Sequence, residues 1–263
     1  MRILTFLMLS AFTILVTVAN VQQSYAESAE ERGLKIAKKV ELVNSGFKGE
    51  SSMMVMTLIN AQGDRTERKM SNQILEKEGE GDLSRIEFKY PPDVSGTRML
   101  TISHKRDDDD QWLFLPAIKR VKRISSRNKS GSFMGSEFSY EDLGSQEPEK
   151  FKHKWLSDEV FEGRDCWKIE RIPNDKRSGY SKQVLWIDKG YMNAVKIEYF
   201  DRKGELLKTG NFKDWEKIGK FWRVKTIEIT NHQTRKRSSL VWESRQLGVE
   251  LDEDEFDSDE LAD

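Results

Sequence analysis

The chain has 263 residues and a formal net charge of −1, and Cys166 is its only cysteine. A single cysteine excludes an intramolecular disulfide, and the isolated histidines His104, His153 and His232 lack the paired spacing of a zinc site. No Gly-x-Ser-x-Gly motif accompanies them. We therefore predict a protein without catalytic activity, metal or other cofactor, in which apolar burial supplies the stability.

The first 26 residues have the pattern of a secretory signal peptide. Arg2 precedes an uncharged run over residues 3–21, and Ser24 and Ala26 place small residues at the −3 and −1 positions of a cleavage site. We predict cleavage after Ala26 and a mature chain, residues 27–263, that is soluble in the periplasm. Its length favours one domain.

Charge is unevenly distributed along the mature chain. Residues 250–263 contain nine acidic and no basic side chains, whereas residues 27–249 contain 43 basic and 36 acidic ones. The net charge of +7 (43 − 36) makes an anionic lipid surface or an acidic protein a plausible partner, and export disfavours nucleic acid. For the acidic end, packing against the domain and fraying into solvent both remain open.

Apolar periodicity predicts one helix followed by strands. Ile36, Val40 and Val43 recur at helical spacing and Gly46 supplies a stop. From residue 51 the period changes to two, and turn residues separate most of the strands. The predicted strands span residues 51–60, 65–77, 83–90, 97–104, 112–124, 151–160, 164–172, 181–188, 194–201, 205–215, 222–231 and 235–244.

These strands predict a mostly β fold with one apolar sheet face. About a dozen strands exceed what an open twisted sheet usually carries without curling, which favours a strongly curved antiparallel half-barrel. The N-terminal helix cannot cover the whole concave face. Residues 125–144 have no clear period, and we expect them to form a covering loop or short helix. The acidic run 107–110 lacks the spacing of a calcium loop and is expected to be a solvated hairpin tip.

Aromatic and apolar side chains of the central stretch are candidates for an apolar binding cavity. The strand over residues 112–118 is apolar on both faces, and seven tryptophans fall in predicted strands. The candidate cavity residues are Trp112, Phe114, Ile118, Phe133, Met134, Phe138 and Trp186. Arg120 and Arg123 of the adjoining basic stretch are candidates for contact with a head group or a partner protein, and their spacing predicts opposite faces of the strand.

Two central motifs resemble the outer-membrane lipoprotein-sorting proteins, relatives of the lipoprotein carrier LolA. They are Asp-Asp-Gln-Trp-Leu-Phe-Leu-Pro-Ala-Ile-Lys-Arg-Val-Lys-Arg-Ile-Ser, residues 109–125, and Ser-Phe-Met-Gly-Ser-Glu-Phe-Ser-Tyr-Glu-Asp-Leu, residues 132–143. Val-Leu-Trp-Ile-Asp-Lys at 184–189 is similar as well. The resemblance implies a LolA/LolB-like half-barrel with helices closing an apolar cavity, and an exported protein that works beside transporters of the resistance-nodulation-division type.

The leading hypothesis is therefore a periplasmic carrier of lipid or lipoprotein acyl chains that exchanges them with such a transporter. An envelope sensor or regulatory module on the same fold is the first alternative. A structural envelope protein without a ligand is the second.

Overall fold

The computed structural model describes residues 26–262, so the predicted signal peptide lies, apart from Ala26, outside the described residues. Within them the chain forms one α-helix and thirteen strands. These are α1 (Ala29–Asn44), β1 (Gly49–Ile59), β2 (Arg65–Leu75), β3 (Leu83–Tyr90), β4 (Arg98–Ile102), β5 (Asp110–Leu115), β6 (Arg120–Ile124), β7 (Phe151–Phe161), β8 (Arg164–Pro173), β9 (Tyr180–Asp188), β10 (Asn193–Asp201), β11 (Leu206–Ile218), β12 (Phe221–Asn231) and β13 (Arg237–Leu247). No helix in this part of the chain is long and apolar enough to cross a membrane.

Helix α1 begins and ends where the sequence places its signals. The Ser28 hydroxyl accepts a hydrogen bond from the Glu31 amide at 3.1 Å, and the Glu31 carboxylate accepts one from the Ser28 amide at 2.9 Å. This reciprocal capping box satisfies free amides of the first turn. Gly46, with φ of +87°, follows the last turn. Ile36 is buried, whereas Val43 is 40% exposed, so the apolar stripe meets the sheet mainly at its N-terminal end.

All thirteen strands join one antiparallel sheet in the order β6-β5-β4-β3-β2-β1-β13-β12-β11-β10-β9-β8-β7. The sheet is not closed, and β6 and β7 are its edges. Every predicted strand is present except that the stretch 112–124 is split in two. Pro116 has no amide hydrogen to continue a ladder, and a short 3-10 turn, Pro116–Ile118, follows with Lys119 in the left-handed region.

The sheet is strongly curved, because its distant strands meet. Asp108, between β4 and β5, pairs with Arg177, between β8 and β9, and its carboxylate lies 3.7 Å from Lys129. Nine strand spacings of about 4.8 Å would separate β5 from β9 by roughly 40 Å in a flat sheet. Lys105 also reaches Glu41 of α1 at 3.1 Å. The helix therefore lies inside the curl, on the concave face, and the predicted half-barrel is confirmed.

The run 107–110 thus fastens the half-barrel and is not the solvated tip that the sequence analysis predicted. Asp109 pairs with Lys150, and Asp110 pairs with Arg123 and lies 3.2 Å from His104. Burial opposes ionisation of Asp110, but hydrogen bonds from Arg123 and His104 outweigh it and lower its pKa. Sequence pattern alone does not reveal the partners Lys150 and Arg177, because they lie far from this run in the chain.

The acidic C-terminal segment packs on the convex face. Phe256 and Leu261 are buried against Leu100 and Phe114. The Leu261 carbonyl accepts a hydrogen bond from Arg98 at 3.1 Å. The described part of the segment is therefore docked, and Leu251, Phe256 and Leu261 cover a convex patch that the strands leave open.

Candidate functional site

The floor of the concave face is rich in methionine. Met54, Met56, Met70 and Met99 are each at most 3% exposed, and they lie on β1, β2 and β4. Register places Met54 beside Met70, Met70 beside Phe88, and Met99 beside Leu113, so the floor is continuous from β1 to β5. Ile229 and Leu240 extend it onto β12 and β13. Methionine is flexible and polarisable, so such a floor can adapt to ligands of different shape.

A covering segment, residues 125–150, lies over this floor. Its regular structure is limited to single 3-10 turns and one isolated bridge between Ser132 and Ser139. Phe133, which is fully buried, and Phe138, which is 6% exposed, insert into the core of the floor. The Phe133 ring lies 5.7 Å from that of Phe88. The apolar contact between the covering segment and the methionine floor thus depends on a few side chains of an irregular segment.

Carboxylates of the covering segment accept hydrogen bonds from the sheet. Asp142 accepts one from Lys208 Nζ at 2.6 Å and one from the Tyr180 hydroxyl at 2.8 Å. Glu137 accepts one from Asn231 at 2.7 Å, and its carbonyl accepts one from Lys208 at 2.8 Å. Burial raises the pKa of the Tyr180 hydroxyl, and the nearby Asp142 charge adds to the rise. The hydroxyl therefore stays protonated and donates.

Glu141, the third carboxylate of this stretch, binds the connection between β8 and β9. It accepts hydrogen bonds from the Ser178 hydroxyl at 2.7 Å and the Gly179 amide at 2.9 Å. Burial raises the pKa of Glu141, and these two hydrogen bonds oppose the rise.

Two arginines of the sheet bind the covering segment without forming a salt bridge to it. Arg68 on β2 donates to the Met134 carbonyl, and burial lowers the pKa of Arg68. Arg171 on β8 is only 7% exposed, and its guanidinium donates to Gln146 at 2.7 Å and to Gln183 at 2.6 Å. Burial lowers the pKa of Arg171 to about 10. No carboxylate within residues 26–262 lies within 4 Å of either guanidinium.

Three of the predicted cavity residues lie together on the concave face. Phe133 and Phe138 belong to the buried core of the floor, and Met134 packs against it. Their positions in the covering segment agree with its predicted place over the concave face.

The other four predicted cavity residues lie elsewhere. Trp112 and Phe114 are on the convex face beneath the C-terminal segment, since alternation along β5 turns Leu113 inward instead. Trp186 is also convex, between Lys168 at 4.5 Å and Lys196 at 4.2 Å from its ring. Ile118 is 59% exposed in the turn before β6. All four were predicted at the cavity, because an apolar run on both faces of a strand does not tell which face is concave.

Arg120 and Arg123 lie on edge strand β6 and are both exposed. Register pairs Arg123 with Trp112 on the convex side and Arg120 with Leu115 on the concave side. Opposite faces were predicted from the spacing. Because Arg120 remains solvated, it does not need the paired anion that a buried cation would require.

The methionine floor and the donors Lys208, Tyr180 and Arg171 were not predicted from the sequence. Met54 and Met56 did carry a signal, since they alternate at the strand period. The polar donors carried none, because only tertiary packing brings them against residues 137–146.

The chain was compared with known proteins. A sequence-family profile described as "Uncharacterized protein" matches residues 80–263. None of the curated proteins matches the chain. An outer membrane lipoprotein-sorting protein domain from Vibrio parahaemolyticus is 47% identical, with a TM-score of 0.87 over 89% of this chain and 100% of that one. The chain belongs to the outer-membrane lipoprotein-sorting protein family.

Two further solved structures have the same architecture. A DUF1329 family protein from Desulfovibrio piger is 29% identical, with a TM-score of 0.85 over 89% of this chain and 99% of that one. A LolA superfamily protein from Nitrosomonas europaea is 19% identical, with a TM-score of 0.69 over the same shares. The family and the LolA-like fold predicted from the central motifs are thus confirmed.

Proposed function

We propose that this family member is a non-enzymatic periplasmic carrier that holds lipid or lipoprotein acyl chains on its concave face. It exchanges them with a membrane transporter of the resistance-nodulation-division type. The leader pattern of residues 1–26 supports the compartment, and the similarity to the lipoprotein-sorting domain from Vibrio supports the class of cargo. The observation that carries the proposal is the methionine floor beneath an irregular covering segment.

The floor provides enough apolar contact for a lipid. Burying a 16-carbon chain gains at most about 13 kcal/mol at about 0.8 kcal/mol per methylene. In the structure Phe133 and Phe138 occupy the floor, and an acyl chain would take their place. The bound chain regains the contacts that the two rings give up, which keeps the net cost of opening small.

The contacts that hold the covering segment on the sheet are few enough for the segment to dissociate. Its polar contacts to the sheet are individual hydrogen bonds, such as that from Arg68 to the Met134 carbonyl, and not a strand ladder. A neutral bond of this kind contributes about 0.5–1.5 kcal/mol net and one to a charged group about 1.5–3 kcal/mol, and the buried pair of Lys208 and Asp142 is the strongest of them. The segment can thus leave while the sheet keeps its own ladder.

A reversible crosslink tests the proposal. The Glu137 amide donates to the Ser238 hydroxyl at 3.0 Å, which brings the covering segment against β13. Glu137→Cys/Ser238→Cys should therefore form a disulfide that holds the segment closed. The native Cys166 is buried and burial raises its pKa to about 11, so it should not compete.

The oxidised variant should fail to extract pyrene-labelled lipid from vesicles, and reduction with dithiothreitol should restore extraction. The reduced form of the same protein is the control. Equal extraction by both forms would contradict the proposed site. Absence of extraction by the wild-type protein would favour the structural alternative without a ligand.

A further inference from the structure

The covering segment presents apolar side chains and carboxylates to the sheet, and a lipid would present acyl chains and an anionic head group in their place. Phe133 and Phe138 fill the apolar floor, and the carboxylates of Glu137 and Asp142, close to them in sequence, accept hydrogen bonds from Asn231 and Lys208 of the sheet. A lipid with acyl chains and an anionic head group has the same two parts. The sheet residues that hold these carboxylates are therefore the place to look for head-group recognition.

Lys208 is the central donor of this set. Its side chain is 4% exposed, and its ammonium donates to one carboxylate and one carbonyl, both from the covering segment. A buried cation is costly without an anionic partner. If the segment leaves, Lys208 loses both partners together, and an incoming anion can replace them.

The neighbouring donors fit a phosphate better than a single carboxylate. The Tyr180 hydroxyl and the Asn231 amide bind different carboxylates of the segment, and both side chains remain on the sheet when the segment leaves. A phosphate ester offers several acceptor oxygens and can engage donors from more than one direction. Arg171 on β8, which has no carboxylate partner among the described residues, adds a second buried cation.

A cleft of about 440 Å³ leads from solvent to these groups. Its lining includes the groups of this interface, namely Glu137, Tyr180, Lys208 and Asn231. Arg202 and Lys203 add cationic side chains, and Glu141 and Asp201 add carboxylates. Within residues 26–262, the only groups to which Arg202 donates are the backbone carbonyls of Ser178 and Arg177. An anion approaching through the cleft would meet these exposed cations before the buried one.

We propose that Lys208, Tyr180 and Asn231 form a binding site for the anionic phosphate head group of a lipid, which Asp142 and Glu137 of the covering segment occupy in the closed protein. This inference rests on the carrier function proposed above. The covering segment is then an internal competitor, and the head group and the acyl chains displace it together.

The experiment compares two lipids with identical acyl chains. Extraction of pyrene-labelled phosphatidylglycerol and of pyrene-labelled diacylglycerol, which has no phosphate, from vesicles is measured with protein purified from the envelope. Wild type should bind the anionic lipid about tenfold more tightly, the effect of one added charge-assisted contact. Lys208→Gln should abolish this preference and still extract diacylglycerol. Lys213→Gln, on the opposite face of β11 and paired with Glu228 at 2.7 Å, is the matched control and should keep the preference.

Asp142→Asn distinguishes competition from a purely structural pair. Loss of the internal anion should strengthen phosphatidylglycerol binding, by about threefold to tenfold. A structural role predicts that Asp142→Asn and Lys208→Gln weaken binding alike, and this result would overturn the inference. Should Lys208→Gln fail to fold, Asp142→Asn still decides, since unchanged or weaker binding by it contradicts competition.

The remaining outcomes separate this inference from the carrier function. Equal extraction of both lipids by the wild-type protein would refute the head-group site and leave the carrier function intact. Extraction of neither lipid would refute both. Glycerol 3-phosphate, tested alone, should bind far more weakly than the lipid. Binding of equal strength would assign the site to a soluble phosphate compound and overturn the lipid assignment.

Discussion

Lys208 on β11 and Asp142 of the covering segment form a buried ion pair with an Nζ to Oδ2 distance of 2.6 Å. Removing one member of a buried pair leaves an uncompensated charge and costs about 3–5 kcal/mol, whereas replacing both by apolar groups is often neutral. Lys208→Met should therefore lower the free energy of unfolding by that amount, and Lys208→Met/Asp142→Leu should recover most of it. Urea unfolding measures both.

The exposed pair of Lys213 and Glu228 is the control for this cycle. Lys213→Met should cost less than about 1 kcal/mol, as expected for a solvated pair. If the double variant is as unstable as Lys208→Met, the loss of stability does not come from an unpaired Asp142 charge, and the prediction is wrong.

Truncation of the buried Phe133 should uncouple stability from lipid binding. Phe133→Ala removes a fully buried ring and should destabilise the ligand-free protein by about 3–5 kcal/mol. Lipid that occupies the vacated floor should then raise the melting temperature of Phe133→Ala more than that of the wild type. Differential scanning fluorimetry with and without phosphatidylglycerol measures this gain.

Phe256→Ala provides the comparison, since Phe256 is equally buried but lies on the convex face. The Phe256→Ala variant should be destabilised, but lipid should raise its melting temperature no more than that of the wild type. An equal gain for both variants would indicate that lipid does not bind where Phe133 packs.

Stability should fall as the pH rises through neutrality because of a carboxylate cluster beside α1. Burial, together with repulsion from Glu41 and Asp82, raises the pKa of Glu147 to about 7, and Lys105 opposes the rise. A pKa raised above its unfolded value of 4.5 contributes stability that is complete below pH 4.5 and is lost as the pH rises towards 7. Glu147→Gln should reduce the difference in unfolding free energy between pH 5 and pH 8.

Urea unfolding at the two pH values checks this expectation, with the exposed Glu67→Gln as control. A pH dependence that is the same in Glu147→Gln and in the wild type would show that other groups cause it.

The strands and the curvature were accessible from the sequence because alternation and turn residues are local signals. Residues 83–90 were predicted as a strand with the bounds that the structure has for β3. The orientation of the central strand was not accessible. Leu113 and Phe114 are both apolar, and only the direction of sheet curvature decides that Leu113 faces the floor and Phe114 the C-terminal segment.

The polar part of the site was equally inaccessible from local pattern. Lys208 lies between Leu207 and Thr209 and by local pattern alone would be taken for a solvated residue. It is buried because Asp142, 66 positions away in sequence, packs against it. Long-range pairs of this kind leave no periodic signal.

The two candidate arginines of β6 should differ in effect. Arg123 pairs with Asp110 and lies 5.9 Å from the Trp112 ring, whereas Arg120 is exposed on the other face. Arg123→Gln should lower the melting temperature slightly, in keeping with the small contribution of an exposed pair. Arg120→Gln should leave stability unchanged and weaken association with an acidic transporter surface, measured by pull-down at low and high salt. If neither variant changes the melting temperature or the association, β6 is only a solvated edge strand without a role in partner binding.

Hydrogen–deuterium exchange of the covering segment tests the central claim most directly, namely that lipid replaces this segment on the methionine floor. Peptides spanning residues 129–143 should exchange faster when phosphatidylglycerol is bound, while those of β1 and β2 stay protected by their ladder. Lipid binding that leaves exchange in residues 129–143 unchanged or slower would contradict the account.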